Sequence, residues 1–245
     1  MPSAIPDGGL QFNTIEETIE SFRNGEFIIV LDSQDRENEG DLIIAAEAIT
    51  PAKMAFLIRY SSHTHTSALF FSGYICAPML PELASSLELP PMVTNNTDPH
   101  RTAYTISIDS NHPSVTTGIS ANDRSLTCRS LASADVKPSD FRRPGHILPL
   151  RARPGGVRER RGHTEATIDF CRLAGKPEVG VICELVEDGD EVAPNVAERT
   201  DCSMMRRDGC LRFGKKWGLK VCTIEDLVEY LEKKDSPLPA LNGKH

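Results

Sequence analysis

Residues 27–50, FIIVLDSQDRENEGDLIIAAEAIT, decide how the first third of the chain folds. Two apolar runs, EFIIVLD at 26–32 and DLIIAAEAI at 41–49, flank a short polar loop. A continuous apolar run that is rich in β-branched residues is typical of a buried strand. The stretch therefore predicts a buried strand, a loop, and a second segment that returns to the core.

The loop between these runs is strongly acidic. Within residues 32–41 it carries five carboxylates and one arginine, namely Asp32, Asp35, Glu37, Glu39, Asp41 and Arg36. Like charges repel when they are brought together away from water. A solvent-exposed loop would carry them at little cost, whereas a loop folded into a cleft would need a cation, and carboxylate oxygens suit Mg²⁺ or Mn²⁺. Both interpretations are open at this point.

The composition is that of a globular protein. The chain has 245 residues, 39% hydrophobic and 25% charged, which allows a substantial core. A net charge of −8 argues against nucleic-acid partners and against a polybasic membrane surface. No apolar run approaches the ~18 residues of a membrane span, and the N-terminus does not resemble a signal peptide. Seven cysteines without C-x-x-C spacing indicate a reducing, cytoplasmic location.

Helix and strand patterns alternate along the rest of the chain, without internal repeats or nucleotide-binding glycine fingerprints. A capping box at Thr14–Glu17 predicts the first helix, and Thr223 is expected to cap the last one. Residues 114–120, SVTTGIS, are expected to form a strand, and residues 197–218 a helical region. We predict a single α/β (α+β) domain over residues 1–245, in which helices flank a mixed β-sheet.

Residues 158–170, RERRGHTEATIDF, predict a phosphate site. A helix that begins near Thr164 presents unpaired N–H groups and the positive end of its dipole, and Gly162 permits close backbone approach. Three arginines add full positive charges: Arg158, Arg160 and Arg161. The alternative is a capped surface helix with scattered arginines.

Histidine and glutamate candidates for chemistry lie elsewhere in the chain. His163, at the mouth of the predicted phosphate site, would form an open catalytic metal site together with Glu37, unless it is only polar surface. Glu184 interrupts the apolar strand GVICELV, so it is a candidate acid or base if it is buried and not water-facing. His146, taken alone, is most simply a structural histidine at a strand edge.

Six strings occur in the same order as in the 3,4-dihydroxy-2-butanone 4-phosphate synthases. They are DRENEGDLIIAAE, NNT…TAYTI, TTGIS, KPSDFRRPGHILPLRA, RRGHTEAT and GVICELV. The chain resembles this family over roughly residues 14–232, and the single-domain fungal-type enzymes most of all. The resemblance implies the α/β fold of that family and a lyase of riboflavin biosynthesis. It implies conversion of D-ribulose 5-phosphate to L-3,4-dihydroxy-2-butanone 4-phosphate and formate, with Mg²⁺ or Mn²⁺, two ions per active site, in a homodimer with active sites at the interface.

The resemblance also implies residue roles. Glu37 and His163 become the metal ligands, and His146 and Glu184 the pair essential for catalysis. The residues implied to bind the substrate are Arg36, Glu37, Asp41, Thr102, Arg160, Arg161, Gly162, His163, Thr164 and Glu184.

One stretch departs from the family pattern. About eleven residues around 62–72 look inserted, giving an atypical loop at about 61–73 near the active site. His63 and His65 lie in it, and we expect a disordered loop there and no second metal site. Residues outside a core of about 12–235 are expected to be flexible tails.

Rival functions remain open at this level. One is a metal-dependent sugar-phosphate isomerase or aldolase, which would release no formate. Another is a cation-binding module without catalytic activity, which would leave Glu184, His146 and the arginines without a use.

Overall fold

The computed structural model describes residues 10–60, 74–187, 189–194, 196–200 and 203–235. The expected tails and the expected insertion, including His63 and His65, fall in parts of the chain outside these ranges.

Nine strands and seven helices make up the described chain. The strands are β1 (Ile28–Leu31), β2 (Gly40–Ala45), β3 (Cys76–Met79), β4 (Ile108–Ser110), β5 (Phe141–Arg151), β6 (Gly180–Glu184), β7 (Val186–Glu187), β8 (Ser203–Met204) and β9 (Lys220–Thr223). The helices are α1 (Ile15–Arg23), α2 (Pro51–Tyr60), α3 (Pro81–Ser86), α4 (Ala121–Leu131), α5 (His163–Ala174), α6 (Arg207–Trp217) and α7 (Ile224–Asp235).

Seven of the strands form one mixed sheet in the order β4-β5-β3-β6-β2-β1-β9. Strand β1 runs parallel to β9, and β3 runs parallel to β5, while the other neighbours are antiparallel. Strands β7 and β8 form a separate two-stranded ribbon. The predicted fold class, a mixed sheet with flanking helices, is confirmed.

Both faces of the sheet are covered, which explains the uninterrupted apolar runs. Ile29 and Leu31 of β1 pack into one hydrophobic cluster, whereas Ile28 and Val30 pack into the other. Helices α2, α4 and α6 supply side chains to the first cluster, and α1, α5 and α7 supply the second. Alternating side chains of a strand point to opposite faces, so a strand that is buried on both sides must be apolar throughout.

The predicted helix ends at Thr14 and Thr223 are confirmed. The Thr14 hydroxyl accepts from Glu17 N, and the Glu17 carboxylate accepts from Thr14 N, so the capping box is complete. The Thr223 hydroxyl accepts from Asp226 N at 3.0 Å in the first turn of α7. No helix within the described ranges is both long enough and apolar enough to cross a membrane.

Two local predictions are wrong. Residues 114–120 form turns and no strand, because the Asp123 carboxylate accepts from Thr116 N and Gly118 N and folds them over the start of α4. Among the described residues of 197–218, only Arg207–Trp217 is helical, because Ser203–Met204 pairs with β7 instead. In both places a contact with another part of the chain outweighs the local secondary-structure preference of the residues.

Candidate active site

The acidic loop is folded around one of its own carboxylates. Asp32 Oδ2 accepts from Glu37 N at 3.0 Å and from Arg36 Nη1 at 2.8 Å, while Asp32 Oδ1 accepts from Glu39 N at 2.8 Å. The Asp32 side chain has no solvent exposure. Sequence reasoning counted Asp32 only among the repelling charges. An aspartate that starts a polar turn is a known local signal for this role.

Glu37 leaves this loop directed towards two histidines. Its carboxylate forms an ion pair with Arg36 and lies 4.0 Å from His163 Nδ1. The other carboxylate oxygen lies 4.0 Å from His100 Nε2, a residue that the sequence did not single out. The Glu37 side chain is 28% exposed, so the alternative of a fully solvent-exposed acidic loop does not hold at this residue.

Asp41 and Glu184 form a cross-strand pair of carboxyl groups, because Asp41 on β2 is in register with Glu184 on β6. Asp41 is 1% exposed, and its Oδ1 has no hydrogen-bond partner among the described residues. Burial, and then the charge of Glu184, raises the pKa of Asp41 well above its usual value. Burial, and then the charge of Glu37, raises the pKa of Glu184. The pair therefore retains a proton to a higher pH than either group would alone.

His163 is the first residue of α5 and lies beside Asp41. Its Nδ1 is 3.5 Å from Asp41 Oδ1, and its buried Nε2 has no hydrogen-bond partner in the described structure. Burial lowers the pKa of His163 to about 4, so the imidazole is neutral at neutral pH. The neutral form is the one that binds a metal ion.

These groups fit a divalent cation. Ligand atoms of Asp32, Glu37 and His163 all lie within 4.8 Å of one another. The oxygens of Asp32 already accept three hydrogen bonds from the loop, so Glu37 and His163 are the better candidates to bind the cation. The unpaired Asp41 Oδ1 and His163 Nε2 are the kind of buried polar atoms that an ion or its water shell would satisfy.

His146 is oriented by a second buried carboxylate. Asp109 Oδ1 accepts from His146 N at 2.9 Å, and Asp109 Oδ2 lies 2.8 Å from His146 Nδ1. Asp109 is 2% exposed, whereas the His146 side chain is 40% exposed. A carboxylate on Nδ1 favours the tautomer that leaves Nε2 as a proton acceptor. Asp109 was missed because it is 37 residues away from His146 in the chain.

The sheet places His146 and Glu184 at the same end and on the same face. Cys76 of β3 pairs with Leu148 of β5 and with Ile182 of β6. Strand β5 runs parallel to β3, and β6 runs antiparallel to it. His146 precedes Leu148 by two residues and Glu184 follows Ile182 by two residues, so both are displaced from Cys76 in the same direction along the sheet. Their backbones are roughly 10 Å apart, which is two strand spacings.

The predicted phosphate-binding residues divide into two groups. Arg160 donates to Glu165 Oε2 at 2.6 Å, to Thr102 Oγ1 at 3.1 Å and to the His100 carbonyl at 3.1 Å. It thereby brings Thr102 next to the start of α5, where Gly162, His163 and Thr164 lie. Arg161 instead points away and pairs with exposed Glu225 of α7 at 2.9 Å.

The chain was compared with known proteins. The sequence model for 3,4-dihydroxy-2-butanone 4-phosphate synthase matches residues 16–230. The chain belongs to this family. The 3,4-dihydroxy-2-butanone 4-phosphate synthase of Pyricularia oryzae is 54% identical over 238 residues, 97% of each chain. That of Candida albicans is 54% identical over 222 residues, 91% of this chain and 98% of the relative.

A solved structure of the same family has the same fold. It is a crystal structure of a 3,4-dihydroxy-2-butanone 4-phosphate synthase in complex with two magnesium ions, 55% identical to this chain. The TM-score is 0.86, and the match covers 93% of this chain and 100% of the other. The resemblance that the six sequence strings indicated is thus confirmed at the level of family and fold.

Proposed function

We propose that this 3,4-dihydroxy-2-butanone 4-phosphate synthase family member converts D-ribulose 5-phosphate to L-3,4-dihydroxy-2-butanone 4-phosphate and formate, which supplies the four-carbon unit of riboflavin. The observation that carries the proposal is the protonatable pair of the buried Asp41 and the partly buried Glu184, with Glu37 and His163 close by. The two products together contain every atom of the substrate. The reaction therefore needs proton transfer and rearrangement of carbon bonds but no oxidant.

Glu37 and His163 would bind the divalent cation, Mg²⁺ or Mn²⁺. A relative that is 55% identical binds two magnesium ions, and we propose two ions per active site here as well. When bound, the cation polarises carbonyl and hydroxyl oxygens of the substrate and stabilises negative charge on them. Arg36 and Asp41 flank Glu37 and contact the sugar hydroxyls.

Proton transfer falls to Glu184 and His146. The reaction begins when a base removes the proton from the carbon beside the ketone, which gives an enediol. Burial raises the pKa of Glu184, which favours its use as an acid–base group. The Nε2 of His146, directed by Asp109, serves as the second proton carrier while the carbon skeleton rearranges and the fourth carbon leaves as formate.

The substrate phosphate is held at the start of α5. Free N–H groups of the first turn, the buried Thr164 hydroxyl and the guanidinium of Arg160 converge there. Gly162 leaves no room for a side chain, because an added Cβ would lie 2.2 Å from Arg160 Nη1. Arg161 adds only long-range positive charge from the surface.

We further propose a cytoplasmic homodimer with active sites at the interface, formed by one catalytic domain per chain. The six described cysteines are buried and form no disulfide with one another, which suits a reducing compartment. A cavity of about 470 Å³ opens between α2 and α4, and its lining combines the apolar Ala55, Ile58, Ile119 and Ala121 with Arg59, Ser120 and Arg124. The apolar part of this lining suits a contact between subunits.

The activity is tested by incubating the purified protein with ribulose 5-phosphate and Mg²⁺, with EDTA as the control, and assaying formate. Metal-dependent formate is the expected result. Consumption of the sugar phosphate without formate would contradict the proposal and favour the isomerase or aldolase alternative.

The homodimer is tested by analytical ultracentrifugation of the purified protein. A mass of twice 26.9 kDa is the expected result, and a monomer that still releases formate would contradict the proposal.

A further inference from the structure

Arg206 reaches the acidic loop from the far end of the chain. It precedes α6 directly, 169 residues after Glu37. Its Nη1 donates to the Glu37 carbonyl at 2.7 Å and also to the Asn38 carbonyl. None of the roles proposed above uses this residue, although its guanidinium holds the backbone of a residue assigned to the metal site.

The backbone that Arg206 holds is strained. Asn38 has a φ of 54°, in the left-handed region that residues other than glycine rarely adopt. Its N–H donates to the Ser33 carbonyl at 3.1 Å, so the turn is closed on its inner side by the loop itself. On the outer side, the two successive carbonyls of Glu37 and Asn38 converge on one guanidinium nitrogen. Arg206 therefore stabilises the conformation that points the Glu37 carboxylate towards His163.

Arg206 is in turn anchored to the strand that carries Glu184. Met205 N donates to the Leu185 carbonyl at 2.9 Å, and Leu185 N donates to the Gly40 carbonyl at 2.8 Å. Met205 is 3% exposed, so this attachment is buried. One short segment thus connects the end of β6, the start of β2 and the Glu37 turn.

We infer that Arg206 is a positioning residue for the metal site: it holds the Glu37–Asn38 backbone so that the Glu37 carboxylate is preset for the cation. This inference rests on the proposed function only in assigning Glu37 to the metal. Partners that orient a ligand typically contribute 10- to 100-fold in metal affinity when they are removed.

The experiment measures Mn²⁺ binding without substrate, by electron paramagnetic resonance titration of purified wild type, Arg206→Ala and Arg206→Lys. Arg207→Ala is the matched control, because Arg207 pairs with exposed Asp208 on the adjacent surface. We expect the Mn²⁺ dissociation constant of Arg206→Ala to rise about 10-fold or more. Arg207→Ala should stay within about twofold of wild type. Arg206→Lys should fall between them, since lysine keeps the charge but loses the planar donor group.

Thermal unfolding of the metal-free variants separates positioning from general stability. An unchanged melting temperature together with weaker Mn²⁺ binding supports the inference, whereas a wild-type dissociation constant in Arg206→Ala overturns it. If Arg206→Ala does not fold, Arg206→Lys decides by the same criterion. Wild-type protein that binds no Mn²⁺ would overturn both the metal site and this inference. Normal Mn²⁺ binding without formate release would overturn only the proposed activity.

Discussion

Asp41 and Glu184 face each other across β2 and β6, and both carboxyl groups have a raised pKa because the fold removes them from water. Two carboxyl groups in register, with the neutral His163 beside Asp41, titrate as a coupled pair. Such a pair can deliver a proton and take one back, which a reaction with several proton transfers requires.

Replacement of Glu184 by glutamine should remove acid–base chemistry while keeping the shape of the site. We expect kcat for formate release to fall by about 10²- to 10⁴-fold, the usual contribution of a general acid or base. Mn²⁺ affinity should change little, because Glu184 is not assigned as a ligand. Glu187→Gln, three residues after Glu184 in the separate β7–β8 ribbon, is the matched control. Activity of Glu184→Gln within threefold of wild type would contradict the acid–base role of Glu184.

Asp109→Asn tests the orientation of His146. An asparagine can present its N–H₂ group to Nδ1, which favours the tautomer with the proton on Nε2 and removes the base. We expect kcat to fall roughly 10- to 100-fold, a part of the full contribution of a general base. Asp140→Asn, in the exposed turn before β5, should have no such effect. Circular dichroism and thermal unfolding check the fold. A wild-type pH–rate profile in Asp109→Asn would contradict the proposal that Asp109 orients His146 for proton transfer.

The buried Asp41 predicts how the stability of the metal-free protein depends on pH. The unfolded chain releases the Asp41 proton near pH 3.8, while the folded chain retains it to much higher pH. Its contribution therefore destabilises the fold increasingly as pH rises above about 4. Asp41→Asn abolishes this cost, so its stability relative to wild type should increase as the pH rises above about 4, by at most about 1.4 kcal/mol per pH unit.

Urea unfolding in EDTA at several pH values measures this difference. Because the pKa of His163 is lowered to about 4, the contribution of His163 to stability increases as the pH rises towards its ordinary pKa of 6.5. Wild type and Asp41→Asn both contain this histidine. It therefore cancels from the comparison. Parallel stability curves for wild type and Asp41→Asn would mean that Asp41 titrates normally.

Two adjacent arginines should differ sharply in their effect on stability. Arg160 pairs with Glu165, which is 1% exposed, so Arg160→Ala leaves a buried carboxylate without its partner. We expect this variant to lose about 3 kcal/mol of unfolding free energy. Arg161 pairs with Glu225 on the exposed surface, where such a pair contributes about 0–1 kcal/mol. Urea unfolding of both variants at pH 7 measures the difference, and equal losses would contradict these assignments.

Local sequence was sufficient for much of the fold. The capping box at Thr14, the cap at Thr223 and the apolar runs of β1 and β2 all predict elements that the structure contains. Their signals are contained within a few neighbouring residues, so no knowledge of the rest of the chain is needed. The error at residues 114–120 arose where a side chain, Asp123, competes for the backbone N–H groups.

The motifs RENEGD and RRGHTEAT, read from the sequence alone, determined the family and which residue types carry the chemistry. Only the tertiary structure decided how those residues meet. Strand register pairs Asp41 with Glu184, Asp109 orients His146 from 37 residues away, and Arg206 holds the Glu37 turn from 169 residues away. These contacts form because the sheet must bury both of its faces, and that requirement involves the whole chain and not any one segment of it.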